Sequence, residues 1–273
     1  MLLSCGGGGG GGSDESPVVE IASTNEPKGI IGSEVFIDGR SVTLWATWCC
    51  DHEVTQKEFE TDCPVNDMGL IPSAWGVGDN YPAYYVNWYE AITYCNKRSI
   101  REGLTPCYTV NGVDFSGEVT VPSDENETWN EAECDFTANG YRLPTEAEWE
   151  YFARGGNLTN SGQTTYSGSD NIDSVAWYSS NSSSATHEVK EKESNGLNLY
   201  DMSGNVREWC WDWYSDIEQD TPSSGAPSGS FRVLRGGCRD CPASHCSVAG
   251  RYGYVPHFGA LQFFGFRVVR TAN

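Results

Sequence analysis

The chain has 273 residues, with 38 Asp and Glu against 17 Lys and Arg, a formal net charge of −21 at pH 7. A surface so acidic repels phosphate backbones and anionic headgroups, which excludes a nucleic-acid binder and a polybasic membrane-surface protein. Hydrophobic residues make up 38% and aromatics 12%, enough to fill a core. No run approaches the roughly 18 apolar residues of a spanning helix. So few cations imply that each Arg beside a Gly or Trp motif has an assigned partner.

Residues 1–27 lack periodicity. Met1-Leu-Leu-Ser-Cys5 is followed by seven glycines, Gly6 to Gly12. Leu2-Leu-Ser-Cys5 resembles a bacterial lipobox without its basic and apolar upstream regions, in which Cys5 is the lipidated residue. The Gly run then reads as a flexible tether. This start predicts a lipid-anchored protein of the cell envelope, exposed on the outer surface. The chain has 11 Cys, ten of them besides Cys5. An exported chain permits disulfides among them, and a mixture of disulfides and buried thiols is expected. Cys49 and Cys50 are expected to point in opposite directions on one strand.

An ordered domain is predicted over 28–273. Residues 29–31 and 35–37 read as short strands, and Val42-Thr-Leu-Trp-Ala-Thr-Trp48 as a longer one. Thr55-Gln-Lys-Glu58, Asn87-Trp-Tyr-Glu90 and Thr145-Glu-Ala-Glu148 each place Glu three residues after a capping residue, the signature of a helix start. In the second helix Trp88, Ala91, Ile92 and Cys95 form the buried face, and Gly103 marks the stop. The third ends at Gly155-Gly156. Residues 156–195 are Ser-, Asn- and Gly-rich loops around Val175-Ala-Trp-Tyr178. Residues 231–235 and 265–270 read as late strands. Few helices, short strands and long loops around Trp anchors indicate an α+β fold with much irregular structure.

Tyr85-Val-Asn-Trp-Tyr-Glu-Ala91, Gly140-Tyr-Arg-Leu-Pro-Thr-Glu-Ala-Glu-Trp-Glu-Tyr151, Leu199-Tyr-Asp-Met-Ser-Gly-Asn-Val-Arg-Glu-Trp209, Arg232-Val-Leu-Arg-Gly-Gly237 and Gly265-Phe-Arg267 occur in this order. Together they resemble the formylglycine-generating-enzyme (sulfatase-modifying factor) domain, a variant of the C-type lectin fold, over about residues 30–270. The motif Arg residues, Arg142, Arg232, Arg235 and Arg267, are suited to tie loop carbonyls or carboxylates, with Glu148 and Glu208 as natural partners. Trp149, Trp209, Trp211 and Trp213 read as core aromatics.

Two branches of that family imply different functions. In the oxidases a copper-binding cysteine pair follows the Gly-Gly, and counting from Gly237 places Cys241 and Cys246 there. Counting back from Arg251 and Pro256 puts Cys246 on a framework position instead. Asp240 beside Cys241 would also lower its thiolate fraction. The other branch is the variable proteins of diversity-generating retroelements, which display a diversified C-terminal region on this lectin-like scaffold. Arg235-Gly-Gly, Cys246-Ser-Val-Ala-Gly-Arg251, Pro256 and Gly265-Phe-Arg267 resemble their framework. Ala243, Cys246, Val248, Ala249, Arg251 and Pro256 match framework positions. The resemblance puts Arg239, Asp240, Cys241, Pro242, Ser244, His245, Ser247, Gly250, Tyr252, Gly253, Tyr254, Val255, His257 and Phe258 at diversified, ligand-binding positions of a variable region spanning about 238–264. Cys238 and Arg239 depart from the family's Ser-Trp.

The chemistry of that region points the same way. It holds two Tyr, three Phe and two His among Gly, Ser and Pro, with one acid and two Arg. Rigid aromatics among small flexible residues are what antibody paratopes use. Tyr252 and Tyr254 share strand parity and are expected to face solvent together. Cys238, Cys241, His245 and Cys246 also offer a compact zinc-ligand spacing, tighter than zinc sites usually have. The oxidase resemblance implies a structural calcium at the loop holding Asp201, Gly204, Val206 and Glu208. Neither Glu-Pro-Asn nor Gln-Pro-Asp occurs, so the sugar-coordinating tripeptides of calcium lectins are absent. The expectation is a non-enzymatic binder that requires no cofactor. Its partner would be a protein or other surface ligand, not nucleic acid, and it would meet a membrane only through its lipid anchor. The alternative is an oxidase using Cys241 and Cys246.

Overall fold

A computed structural model describes residues 2–3, 29–63, 73–259 and 263–272. Lipobox Cys5 and the Gly tether lie outside these. Three helices begin where the sequence signals them. Helix α1 (Gln56–Asp62), α2 (Trp88–Arg101) and α4 (Glu146–Ala153) are capped by Thr55, Asn87 and Thr145, each with a reciprocal capping box. One-turn helices α3 (Glu127–Asn130) and α5 (Ile172–Val175) are held by Asn caps. Trp88, Ala91, Ile92 and Cys95 of α2 are fully buried, as their spacing requires.

One sheet orders its strands β1 (Leu2–Leu3), β2 (Thr47–Cys50), β10 (Val269–Thr271) and β5 (Tyr141–Arg142). Strand β10 is antiparallel to β2, pairing Val269 with Cys49, so the two ends of the domain close on each other. A two-strand ribbon joins β3 (Tyr108–Thr109) to β4 (Glu133–Cys134). The second large sheet has the order β8 (Tyr252–Tyr254), β7 (Arg232–Arg235), β6 (Arg207–Trp213) and β9 (Phe264–Gly265). A register shift between Trp209 and Trp213 bulges β6. Cys49 and Cys50, adjacent on β2, enter different hydrophobic clusters, as period-two alternation demands.

The N-terminal strand expectations fail for one physical reason. Val35 and Phe36 are buried, but their backbone groups are satisfied without a ladder. The Ser33 hydroxyl accepts from the amides of both, and Arg40 donates to the Val35 carbonyl at 2.7 Å. Val42 and Leu44 are buried with Thr43 exposed between them, the alternation of a strand. Yet the Thr43 amide bonds Ser223 in a loop, and ladder pairing begins only at Thr47. Likewise 265–270 divides between β9 and β10.

The core is built around buried charge pairs. The Arg142 guanidinium is fully buried and grips both Glu148 oxygens, at 2.6 and 2.7 Å. Arg267 does the same to Glu208, also at 2.6 and 2.7 Å, and the Trp149 indole donates to that carboxylate at 2.7 Å. Arg235 bridges Glu146 and Glu150 of α4. Arg232 has no acid within ion-pair distance among the described residues. Its guanidinium lies between the rings of Trp88 and Trp213, 3.8 and 3.6 Å from their centroids, and donates to the Trp211 and Asn130 carbonyls. Burial lowers its pKa to about 9 against the opposing pull of Asp212. Trp149, Trp209 and Trp213 are buried, and Trp211 packs half-buried against the core.

Candidate ligand surface

The tract that follows β7 turns at once. Gly236 and Gly237 both have positive φ, and a Cβ on Gly237 would stand 2.7 Å from the Cys246 sulfur. Only glycine fits there. Cys238 and Cys241 close a disulfide, and a 3-10 turn over Ala243–Cys246 leads back to β8. Strand β8 adds to the edge of β7 with Tyr252 opposite Leu234 and Tyr254 opposite Arg232.

Most of the positions read as framework are anchored, and most of those read as ligand-binding are open. The framework side chains Cys246 and Val248 are buried, as is Pro256, and the Arg251 side chain is only 4% exposed. Each is tied to another element. The Ser203 hydroxyl donates to the Cys246 carbonyl at 2.8 Å. Arg235 donates to the Val248 carbonyl, and the Val248 amide donates to Thr165. Arg251 takes both oxygens of Glu146, at 2.6 and 2.8 Å. The Pro256 carbonyl receives the first amide of α2, from Trp88. Ala243 and Ala249 are half-buried.

Most of the positions named for ligand contact are reachable. Asp240, Pro242 and Ser244 are exposed; His245, Ser247, Gly250, Tyr252, Gly253, Tyr254, Val255, His257 and Phe258 are half-buried. Two are not reachable, which corrects the sequence reading. Arg239 is fully buried; it donates to the Trp75 carbonyl and lies against the Tyr84 ring. Cys241 is 4% exposed and spent in the disulfide. The departure from Ser-Trp at Cys238-Arg239 thus goes into the scaffold. Nothing in the tract's own composition signalled this, because the partners Trp75 and Tyr84 lie more than 150 positions upstream.

Tyr252 and Tyr254 do share a face, but they do not stand free. Tyr252 packs 5.0 Å from the His245 ring, and Tyr254 packs against Phe258 and Phe264 at 5.3 and 5.2 Å. The Arg207 guanidinium, from the start of β6, stacks 4.0 Å from the Tyr252 ring centroid and reaches Phe263. Arg207 was not among the residues singled out, although it lies in a quoted motif.

The metal and cysteine expectations meet clear geometry. Both oxygens of Glu208 are filled by Arg267 and Trp149, and the Asp201 carboxylate accepts the Lys190 amide at 2.8 Å. Burial raises the Asp201 carboxyl to about 6. Gly204 approaches the Trp177 carbonyl so closely that a Cβ would stand 2.3 Å from it, and the Val206 amide donates to Glu53. This loop is therefore closed by protein partners and does not fit a calcium ion ligated by Glu208. Zinc at Cys238, Cys241, His245 and Cys246 fails because two of the sulfurs are bonded to each other. Among the described residues no group of three or more His, Cys, Asp or Glu is placed to hold a metal. The same bond separates the proposed catalytic pair. Cys241 is joined to Cys238, while Cys246 is a buried thiol that burial pushes up to about 11.

The profile of the sulfatase-modifying factor enzyme 1-like domain matches residues 36–272. The chain belongs to that family. It is 40% identical over 254 residues to Chaperone protein LppX of Paenibacillus barcinonensis, covering 85% of this chain and 82% of that protein. It is 35% identical to the formylglycine-generating enzyme of Bos taurus, over 84% of this chain and 66% of the enzyme. Among solved structures, Treponema denticola variable protein 1 superposes with a TM-score of 0.81 at 38% identity, covering 92% and 93% of the two chains. The fold is thus the formylglycine-generating-enzyme variant of the lectin-like α+β class, shared with a variable protein.

Proposed function

We propose that this protein is a variable, ligand-binding member of its family, which displays a diversified C-terminal surface on a rigid lectin-like scaffold. The observation that carries this reading is the division of the tract. Cys246, Val248, Arg251 and Pro256 are anchored in the frame, while Asp240, Pro242, Ser244 and most of their diversified neighbours are left open. Such a surface tolerates substitution without loss of fold, which diversification requires. The ligand is a protein or another surface molecule, and binding calls for no cofactor. Lipidation at Cys5 would hold the domain on the outer face of the cell envelope.

Sequencing the locus in sibling isolates tests the reading. Changes should concentrate at the open positions between 240 and 258 and spare Cys246, Val248, Arg251 and Pro256. Changes spread evenly along the chain would sink it. Labelling with radioactive palmitate, lost in Cys5→Ser, tests the anchor. Family membership favours an enzyme as the second reading, since relatives such as the Bos taurus protein carry that name. Against it stands the Cys238–Cys241 bond. Formylglycine formed from a sulfatase peptide with copper and oxygen, and abolished by Cys241→Ser or Cys246→Ser, would establish the oxidase.

A further inference from the structure

Among the described residues Arg40, Arg207, Arg232 and Arg270 have no carboxylate within ion-pair distance; Arg40 and Arg232 donate to backbone carbonyls and Arg270 lies over Trp48, which leaves Arg207 as the one set against the tract. Arg207 belongs to β6, a frame strand, and its amide is fixed to the Phe263 carbonyl at 2.7 Å. Its side chain is half-buried under the tract. One face of the guanidinium is covered by Tyr252, which packs beside His245. Its Nε is buried without a hydrogen-bond partner, as are those of Arg142, Arg232 and Arg235, but where their Nη groups donate to carboxylates or carbonyls, the Arg207 side chain makes no hydrogen bond among the described residues. No carboxylate of the described residues lies within ion-pair distance of it, whereas Arg142, Arg235, Arg251 and Arg267 each have one. The groups acting on its charge are burial first, which lowers its pKa, then Tyr252 and Cys246.

A desolvated cation with an unmade hydrogen bond is incomplete. Stacking on an aromatic satisfies a guanidinium's face and leaves its edge, the part that forks onto a carboxylate. We propose that Arg207 is a fixed anion-reading residue at the base of the binding surface, selecting ligands that present a carboxylate on an acidic peptide segment. Tyr252, which stacks on it, and His245, beside Tyr252, belong to the diversified tract, while Arg207 itself does not. Every version of the surface would then keep one common preference beneath changing walls. The chain's overall negative charge works against an acidic ligand, but salt at about 0.15 M screens it beyond roughly 8 Å, and the tract contains a single acid, Asp240. This inference rests on the proposed binding surface.

The test uses the full chain labelled with ¹⁵N at arginine, with the Arg207 Nε resonance assigned by its loss in Arg207→Gln. Two capped peptides are titrated in at about 0.15 M salt. One alternates Gly with Glu, and its twin alternates Gly with Gln. The Glu peptide should shift the Arg207 signal saturably and bind at least about tenfold more tightly than its twin. Arg207→Gln should abolish that preference, and Arg207→Lys should recover only part of it. No saturable shift, equal binding of the two peptides, or a preference that survives Arg207→Gln would overturn the proposal. A Tyr252→Ser and His245→Ser double variant separates the two readings. If it alters peptide affinity while the twins bind equally, Arg207 loses its role and the surface keeps its own. If Arg207 discriminates while the double variant changes nothing, the tract loses its role instead.

Discussion

The two sides of the β6–β7 pair treat arginine differently. On the α4 side, Arg235 and Arg251 close on Glu146 and Glu150, and deeper in, Arg142 and Arg267 grip Glu148 and Glu208 with both arms. On the tract side, Arg207 has an aromatic ring and, among the described residues, no acid within ion-pair distance. The first arrangement neutralises charge within the fold. The second leaves charge for something outside it. A scaffold whose buried arginines are matched from within, by acids or, at Arg232, by carbonyls and Trp rings, can carry an open surface, because the surface is not asked to hold the scaffold together.

The strongest way to break that comparison is to open a frame pair. Arg267→Ala leaves Glu208 buried and unpaired beside Trp149. Removing one partner of such a pair costs about 3–5 kcal/mol. Urea unfolding should show that loss, or the variant should fail to accumulate as folded protein. A cost near 1 kcal/mol would mean that the frame pairs are not what carries the fold. Gly204→Ala comes next. Its φ is +84° and its Cβ would meet the Trp177 carbonyl, so a loss of about 2 kcal/mol or more is expected in the same experiment.

A pH-dependent pair at the edge of the frame sharpens the contrast. Burial alone would lower the His52 imidazole, but hydrogen bonds to Asp51 and Glu58 outweigh it and hold the ring at about 8. The folded value lies above the ordinary 6.5. Its contribution, about 2 kcal/mol, is therefore fully present below about pH 6.5 and lost as pH rises through 8. Thermal unfolding from pH 6 to 9 should show this decline, and His52→Asn should flatten it. An unchanged slope in that variant would assign the decline to another group.

Local signals were legible because they act within a few residues. The capping boxes at Thr55, Asn87 and Thr145 each involve a Glu three positions away, and all three helices start there. That Glu148 and Glu208 would pair with motif arginines could be foreseen, but not that Arg142 takes the first and Arg267 the second. Long-range choices were not legible. Glu146 and Glu150 share α4 with Glu148, and only the fold decides that Arg235 and Arg251 take them. Arg239 read as a surface residue because Trp75 and Tyr84, which enclose it, carry no mark of that role. The supposed calcium loop failed for a related reason. Its carboxylate was visible in the sequence, but the arginine that already occupied it was 59 positions away.

The smallest expected effect is the most pointed. Ser244 is exposed and makes no hydrogen bond through its side chain among the described residues, and Pro242 beside the 3-10 turn is exposed as well. Ser244→Tyr should change stability by no more than about 0.5 kcal/mol, and adding Pro242→Ser should move it little further. By contrast Val248→Ser, only four residues away, empties a buried position that is held between Arg235 and Thr165. It should cost several times as much, on the order of 2 kcal/mol. Thermal unfolding of these three variants compares neighbours in one tract under one condition. Were Ser244→Tyr as damaging as Val248→Ser, the open positions would be structural, and the surface could not be varied freely.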